Sequence, residues 1–430
     1  MQGDRLTHGL WEATAPPAPP APPLRARVEV DVAVIGAGYT GLSAALHLAQ
    51  AGRSVAVLEA SQIGFGASGR NVGLVNAGMW VLPDALPQRL GATHGDRLLR
   101  LLGDAPSLVF DLVARHGIAC EAVRAGTLHC AVGASGLAGL RERAGQWQRR
   151  GAPVELLGRE ETAARVGTTA YAGALLDRRA GTIQPLAYAR GLARAALAAG
   201  ASLHGGSAVV GAEDLGTSWR LAVDGGGQVD ARWVVVATNT YTLPGGPWST
   251  LAAELVRMPY FNLATRPLPQ ALRRAILPGG EGAWDTRTVL SSLRLDAAGR
   301  LVFGSIGALR PPGHGVHLRW GRRALLRLFP ALHDVAFEHE WYGWIGMTAD
   351  ALPRFHPLAR NVVSFSGYNG RGIGTGTVFG RELARLVLGE IGQADLALPA
   401  GAIVPARWRA TREAFYEAGA QAAHAVDARW

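Results

Sequence analysis

Residues 28–59 constrain the fold of this chain more than any other stretch. Val28-Glu29-Val30-Asp31-Val32-Ala33-Val34-Ile35 is short and rich in β-branched residues, which predicts a strand. Gly36-Ala37-Gly38-Tyr39-Thr40-Gly41 follows at once. A helical pattern then sets Leu42, Ala45, Leu46 and Ala49 on one face and stops at Gly52. A second strand, Ser54 to Leu58, ends at Glu59. In this βαβ setting each glycine has a separate physical role. Gly36 permits the tight turn, Gly38 lets backbone approach a pyrophosphate, and Gly41 allows close helix–strand packing. The helix N-terminus offers free N–H groups and the positive end of a dipole to phosphates. Glu59 is placed to accept hydrogen bonds from ribose hydroxyls. Ala60-Ser61-Gln62 come next with no arginine for a 2′-phosphate, which disfavours NADP. The unit therefore predicts a dinucleotide site; its structural alternative is a glycine-rich turn without a ligand.

The segment after Glu59 separates FAD from NAD. An NAD domain would run on to another helix and strand. Here a polar, glycine-rich loop runs from Ser61 to Gly73, reading SQIGFGASGRNVG. Such a loop suits backbone laid along an extended cofactor, giving N–H donors without side-chain bulk. Arg70 lies where it would approach the pyrophosphate or the flavin, or stand simply as a surface arginine.

Composition excludes several classes. Apolar residues make up 48% and charged residues 18%, which suits a globular chain with a sizeable core. Cys120 and Cys130 are the only cysteines, too few for a disulfide scaffold, and they read as ordinary reduced thiols. The net charge is +10, from 43 basic residues, all arginine, against 33 acidic ones. The arginines are scattered in pairs without interleaved aromatics, so no nucleic-acid partner is predicted. The N-terminus has no signal-peptide core and no charge-free apolar run reaches about 18 residues, so no membrane span is expected and the chain reads as cytoplasmic. Residues 16–23, PPAPPAPP, predict an extended, solvated tether. His314 and His317 have a metal-like spacing but no third ligand nearby, and read as loop histidines rather than a metal site.

The stretch from Asp31 to Gly73, and above all LEAxxIGFGASGRN, resembles the D-amino-acid oxidase superfamily of FAD enzymes. Within it the chain is similar to the γ-glutamylputrescine oxidase and L-pipecolate oxidase branch. Further matching segments are Gly173–Asp177, Ile183–Leu186, Val234–Tyr241 and Trp341–Ile373. The resemblance implies an α/β FAD-binding domain, Rossmann-like and of the glutathione-reductase type, with helices on both faces of a mostly parallel sheet. It also implies an α+β substrate domain with an antiparallel sheet. The expected division is a proline-rich flexible arm at 1–27, an FAD-binding domain at 28–82, 160–243 and 346–392, a substrate domain at 83–159 and 244–345, and a C-terminal extension at 393–430.

The same resemblance assigns residues. Gly36, Gly38, Gly41 and Glu59 would hold the adenosine half, with Tyr39, Thr40 and Ala60 also binding the cofactor. Ser68, Arg70, Asn71 and Gly73 would line the flavin and Gly69 would bind the cofactor beside them, with Val209 near the adenine and Thr238 and Asn239 ending a strand at the cofactor. Gly370, Arg371, Gly372 and Ile373 would meet the pyrimidine end, where a helix N-terminus stabilises negative charge on reduced flavin. Trp80, Tyr260, Phe261, Trp341, Trp344 and Tyr368 are candidates for an aromatic substrate wall, each with core packing as its alternative. Arg257 is a candidate carboxylate grip, and His356, Trp344 and Arg371 are candidate catalytic groups. Two departures stand out: Val72 occupies a position usually glycine in the family, and Ser291, Ser292 and Leu293 stand where relatives often carry tyrosines. No cysteine adjoins Thr348-Ala349-Asp350, so FAD is expected to bind non-covalently. The implied reaction is oxidation of the C–N bond of an amine or amino acid by hydride transfer to flavin N5. The imine hydrolyses, and oxygen is the expected acceptor, giving peroxide. The alternatives are a dehydrogenase serving a quinone or carrier protein, a flavin monooxygenase, and a non-catalytic flavin-binding protein.

Overall fold

The computed structural model describes residues 7–427. Two eight-stranded sheets organise them. The first has the order Arg354–Ala359, Val362–Ser366, Gln228–Val236, Arg27–Ile35, Val55–Leu58, Ser202–His204. All but its first strand run parallel, and a meander of Val209–Asp214 and Trp219–Val223 pairs antiparallel to Gln228–Val236. The run Val32 to Ile35 is buried throughout, as a parallel strand covered on both faces must be.

Three helices cover one face: Tyr39–Gln50, Pro185–Ala198 and Gly372–Leu388. The first and last approach closely because Gly376 and Gly380 face them; a Cβ on Gly380 would lie 2.7 Å from that of Ser43. This close crossing sets two helix N-termini side by side. The opposite face is not helical as expected. The meander covers it, packing Leu221, Val223 and Trp219 over Ala33, Ile35 and Val234. Alternation of apolar and polar residues over 209–223 produces a half-exposed strand pair, which takes the place of a helix here.

The second sheet has the order Phe337–Met347, Val256–Thr265, Leu301–Ile306, Ser291–Leu295, Gly282–Asp285, Thr127–Cys130, Ala174–Asp177, Val154–Leu157. It is antiparallel except for one parallel pair, Gly282–Asp285 with Thr127–Cys130. Ala174–Asp177 was expected in the FAD-binding domain; it pairs with Thr127–Cys130 and Val154–Leu157 and belongs to the second sheet. The boundary placed at 160 therefore shifts beyond Asp177.

The N-terminal arm is not a free tether. The described part, from residue 7, docks through the helix Leu10–Thr14, with Leu10 and Trp11 fully buried. Trp11 meets the edge of Trp341 at 5.4 Å and donates from Nε1 to the Asn71 carbonyl at 2.9 Å. Glu12 pairs with Arg190, and Leu24 closes the first sheet's second core. The extension at 393–430 is also integrated: Leu396 and Leu398 enter the main core. The helix Arg409–Val426 packs on the second sheet and on the helix His314–Leu328. His314 and His317 open that last helix rather than a loop, His314 pairing with Glu340 and His317 with His424. Both cysteines are free and buried. Among the described residues no helix is long and apolar enough to cross a membrane.

A candidate active site between the two sheets

One cavity of about 870 Å³ runs between the sheets. Its first part is built by the βαβ unit. Gly36 has φ +101°, which only glycine adopts without strain, and a Cβ there would lie 3.0 Å from the Ala237 carbonyl oxygen. A Cβ on Gly38 would lie 2.9 Å from Ser68 Oγ. Gly41 abuts the Gly36 carbonyl so closely that any side chain would collide. Glu59 accepts the Ala37 N–H at 2.8 Å through Oε2 and the Ser61 N–H at 2.9 Å through Oε1. Burial raises its carboxyl above the usual carboxylate range, partly offset by those two bonds.

The loop after Glu59 is clipped from within. Asn71 Nδ2 donates to the Ala67 and Ser68 carbonyls, and its Oδ1 accepts the Gly73 N–H at 2.9 Å. Ser68 Oγ accepts the Tyr39 N–H at 3.1 Å. Arg70 is buried, lies 4.3 Å over the Phe65 ring, and donates to the Thr7 and Gly66 carbonyls. Its own carbonyl accepts from Asn262 and Trp341. Arg70 thus ties arm, loop and second sheet together while lining the cavity.

The second helix N-terminus opens at Gly370-Arg371-Gly372-Ile373. Neither Gly38 nor Arg371 caps its helix with a side chain; at the first end Ser68 Oγ takes only the Tyr39 N–H. Thr40 Oγ1 and the Tyr368 hydroxyl, 2.8 Å apart, join the two ends. Asn239 and Asn369 both adopt positive φ, which asparagine tolerates. Their side chains bind the backbone of Gly367 and Thr348, fixing the turn. Arg371 donates to the Ala77 carbonyl at 2.7 Å and stands 5.0 and 5.2 Å from the Trp80 and Trp284 rings. Its Nε is buried without a partner, and burial together with Arg143 pulls its pKa down to about 9. An aromatic-flanked guanidinium that keeps an uncommitted donor has the chemistry to pair with an anion.

Beyond it the second sheet supplies the walls. Strand alternation sends Met258 and Tyr260 into the cavity and Arg257 and Phe261 away from it. Tyr260 and Ser292 share a hydroxyl–hydroxyl bond of 2.6 Å. Trp344 lines the cavity, its backbone N–H donating to the Tyr241 hydroxyl at 3.0 Å. Trp284 stands opposite Ser292 and His129 in register and stacks on the His129 ring at 3.4 Å.

Of the expected residues, Gly36, Gly38, Tyr39, Thr40, Glu59, Ala60, Ser68, Arg70, Asn71 and Val209 line this one cavity. So do Thr238, Asn239, Trp80, Tyr260, Trp344, Tyr368 and the segment Gly370–Ile373. Gly41, Gly69 and Gly73 lie behind it, where their missing side chains allow backbone approach. Three aromatic and catalytic expectations are corrected. Phe261 is packed in the second core beside His317 and Trp320, because it occupies the odd face of its strand. Trp341 is buried against Trp11. His356 is held between the Gly401 carbonyl and the Glu254 carboxylate, both at 2.8 Å, away from the cavity. Sequence reasoning missed Tyr241, Trp248, Trp284, Met258, and Phe415, Tyr416, Gly419 and Ala420 of the C-terminal helix, all of which line it. Tyr241 closes the matched segment Val234–Tyr241 but was assigned no role there; the others carry no local motif.

The donor set fits FAD. Two adjacent helix N-termini, glycine contacts with no room for a Cβ, and a carboxylate at the end of the second strand meet the needs of phosphates, backbone approach and ribose. Comparison with known proteins agrees. The family described as FAD dependent oxidoreductase (DAO) matches residues 31–386. The chain is 33% identical over 393 residues to "Gamma-glutamylputrescine oxidoreductase" of Escherichia coli (strain K12), covering 90% of this chain and 91% of that one. It is 32% identical over 391 residues to "Probable oxidoreductase OrdL" of Rhizobium meliloti, covering 90% and 89%. Among solved structures, glycine oxidase from Geobacillus kaustophilus superposes with a TM-score of 0.70 at 23% identity, covering 85% of this chain and 96% of that one. An L-amino acid deaminase from Proteus vulgaris superposes with a TM-score of 0.70 at 17% identity, covering 92% and 98%. From the dinucleotide cradle, the two-sheet architecture and the match over most of its length, the chain belongs to the DAO family of FAD dependent oxidoreductases.

Proposed function

We propose that the protein oxidises the C–N bond of an amine or amino acid, with FAD bound non-covalently and oxygen as acceptor. The carrying observation is continuity: the cavity that begins at the dinucleotide cradle ends in an aromatic chamber holding a buried guanidinium donor, Arg371 Nε, without a partner. Gly36, Gly38, Glu59 and Val209 would hold the adenosine half, and Ser68, Arg70, Asn71 and Gly370–Ile373 the flavin half. Bound FAD supplies the two-electron acceptor for hydride removed from the carbon next to nitrogen.

The chain's own residues do the rest. Arg371 binds a substrate carboxylate, with Trp80 and Trp284 shielding the pair from water. The apolar surroundings lower the pKa of the bound amine, so that its nitrogen carries the lone pair the reaction needs. The Tyr260–Ser292 hydroxyl pair offers a neutral polar contact on the facing sheet. No cysteine or histidine is among the described residues that line the cavity, which supports non-covalent FAD. The two free thiols accord with a cytoplasmic setting.

The test is anaerobic bleaching of the flavin band by γ-glutamylputrescine, putrescine, pipecolate, sarcosine, glycine and D-amino acids. Reduction by one of them establishes the reaction. Retention of bound FAD with no reduction by any refutes the substrate class. Absence of peroxide when the reduced protein meets air assigns it to the dehydrogenases instead.

A further inference from the structure

The helix Arg409–Val426 lies outside the segment that matches the family, yet it forms one wall of the cavity. It is held there from three directions. Glu413 accepts the Arg257 backbone N–H at 3.0 Å, Glu417 takes both ends of the Arg310 guanidinium at 3.0 and 2.7 Å, and His424 meets His317 at 2.8 Å. These anchors occupy the acidic side chains of the helix, so the flank turned to the cavity presents Phe415, Tyr416, Gly419 and Ala420. A Cβ placed on Gly419 meets no atom within 4 Å, so the glycine borders open space. The strands this helix packs on contribute apolar Met258 and Ile306 to the same cavity, and Leu290, just before the strand Ser291–Leu295, lines it too. Glu59 is the sole carboxylate among the described residues that line the cavity, and its two oxygens already serve Ala37 and Ser61 at the cradle.

We propose that this C-terminal helix is the specificity wall of the enzyme: the space beside Gly419 takes the non-reacting substituent of the substrate, and takes it only if apolar and uncharged. A second ammonium there would meet apolar and aromatic side chains and no carboxylate to pair with. The preferred substrate is thus an amine whose remaining bulk is apolar, held at its other end by Arg371, rather than a diamine. The inference rests on the amine-oxidising reading above.

Binding and turnover separate the two. Thioether analogues, with sulfur in place of the reacting nitrogen, bind without being oxidised: (methylthio)acetate, (benzylthio)acetate and (2-aminoethylthio)acetate. Their dissociation constants are read from perturbation of the flavin band in the holoenzyme and in Gly419→Phe, Gly419→Leu and Phe415→Ala. The parent is expected to bind the benzyl compound at least about 10-fold more tightly than the aminoethyl one. Gly419→Phe and Gly419→Leu weaken the benzyl compound by about 10-fold or more and leave the methyl compound within about twofold, with FAD content unchanged. Phe415→Ala weakens the benzyl compound selectively. Equal binding of benzyl and aminoethyl tails, or a uniform effect of the Gly419 variants on all three, or no response to any, overturns the proposal. The expected binding order without flavin reduction by any amine upholds the wall and refutes the reaction.

Discussion

Replacing Glu59 by glutamine removes one acceptor from a carboxylate that uses both. In the parent, Oε2 takes the Ala37 N–H at 2.8 Å and Oε1 takes the Ser61 N–H at 2.9 Å. Glutamine keeps one carbonyl oxygen and turns an NH₂ group toward the other N–H. That orphaned donor costs the apoprotein about 1–3 kcal/mol. Binding of FAD would be weakened as well: a ribose hydroxyl donating to the charged carboxylate would lose a bond worth about 1.5–3 kcal/mol. At about 1.4 kcal/mol per decade, the dissociation constant for FAD rises about 10- to 100-fold. Titration of apoprotein with FAD, followed by quenching of flavin fluorescence, measures this directly. The stabilisation by saturating FAD in thermal melts shrinks with it. The pH dependence gives a second reading. Burial raises the folded pKa of Glu59 above its unfolded value, so the folded apoprotein holds the proton more tightly. That contribution to stability is present below the ordinary carboxylate pKa and is lost as pH rises through the raised one. Glutamine flattens this part of the profile. An affinity for FAD within about threefold of the parent would refute the cradle as drawn.

Other parts of the molecule carry three further expected outcomes. Trp11→Ala removes a fully buried indole and its bond to the Asn71 carbonyl. A loss of about 3–5 kcal/mol in denaturant unfolding is expected, together with weaker FAD retention, because Asn71 belongs to the cradle. Burial lowers His317 to about 4 and His424 to about 3, so the unfolded chain binds protons that the folded one refuses. Stability of the C-terminal helix is therefore intact above about pH 6.5 and falls as pH drops toward these values, by at most about 1.4 kcal/mol per pH unit for each histidine. Hydrogen exchange of residues 409–426 at pH 7 and pH 5 reads this, and His424→Phe removes most of the difference. Arg371→Gln weakens carboxylate analogues by about 10-fold or more while sparing amines that lack a carboxylate, measured by flavin-band titration. Equal losses for both would place Arg371 outside the substrate site.

Local chemistry made the cofactor cradle legible. The conformation of Gly36 and the crowding of Gly41 against the Gly36 carbonyl are demands of the backbone within a few residues, so spacing alone exposes them. The loop Phe65–Gly73 was legible in part for the same reason, as Asn71 clips it through bonds to Ala67, Ser68 and Gly73. The far side of the site was not. Whether an aromatic on Val256–Thr265 faces substrate or core depends on strand parity, and one residue decides between Tyr260 and Phe261. Trp341 and His356 carry the right chemistry but were claimed by partners distant in the chain: Trp11 and Arg70 for the first, Glu254 and Gly401 for the second.

The arm and the C-terminal helix show the same division. Proline-rich composition described a tether, yet Leu10 and Trp11 bury themselves in a recess that exists only once the sheets are assembled. Nothing within residues 409–426 marks Phe415 or Gly419 as part of a site; their position is set by Glu413, Glu417 and His424 meeting Arg257, Arg310 and His317. The sequence by itself determined the dinucleotide cradle, because turns, helix ends and strand ends are set by short-range sterics and hydrogen bonding. Tertiary structure alone decided which walls a substrate meets, because cavity lining is set by contacts between segments hundreds of residues apart, for which no local pattern is required.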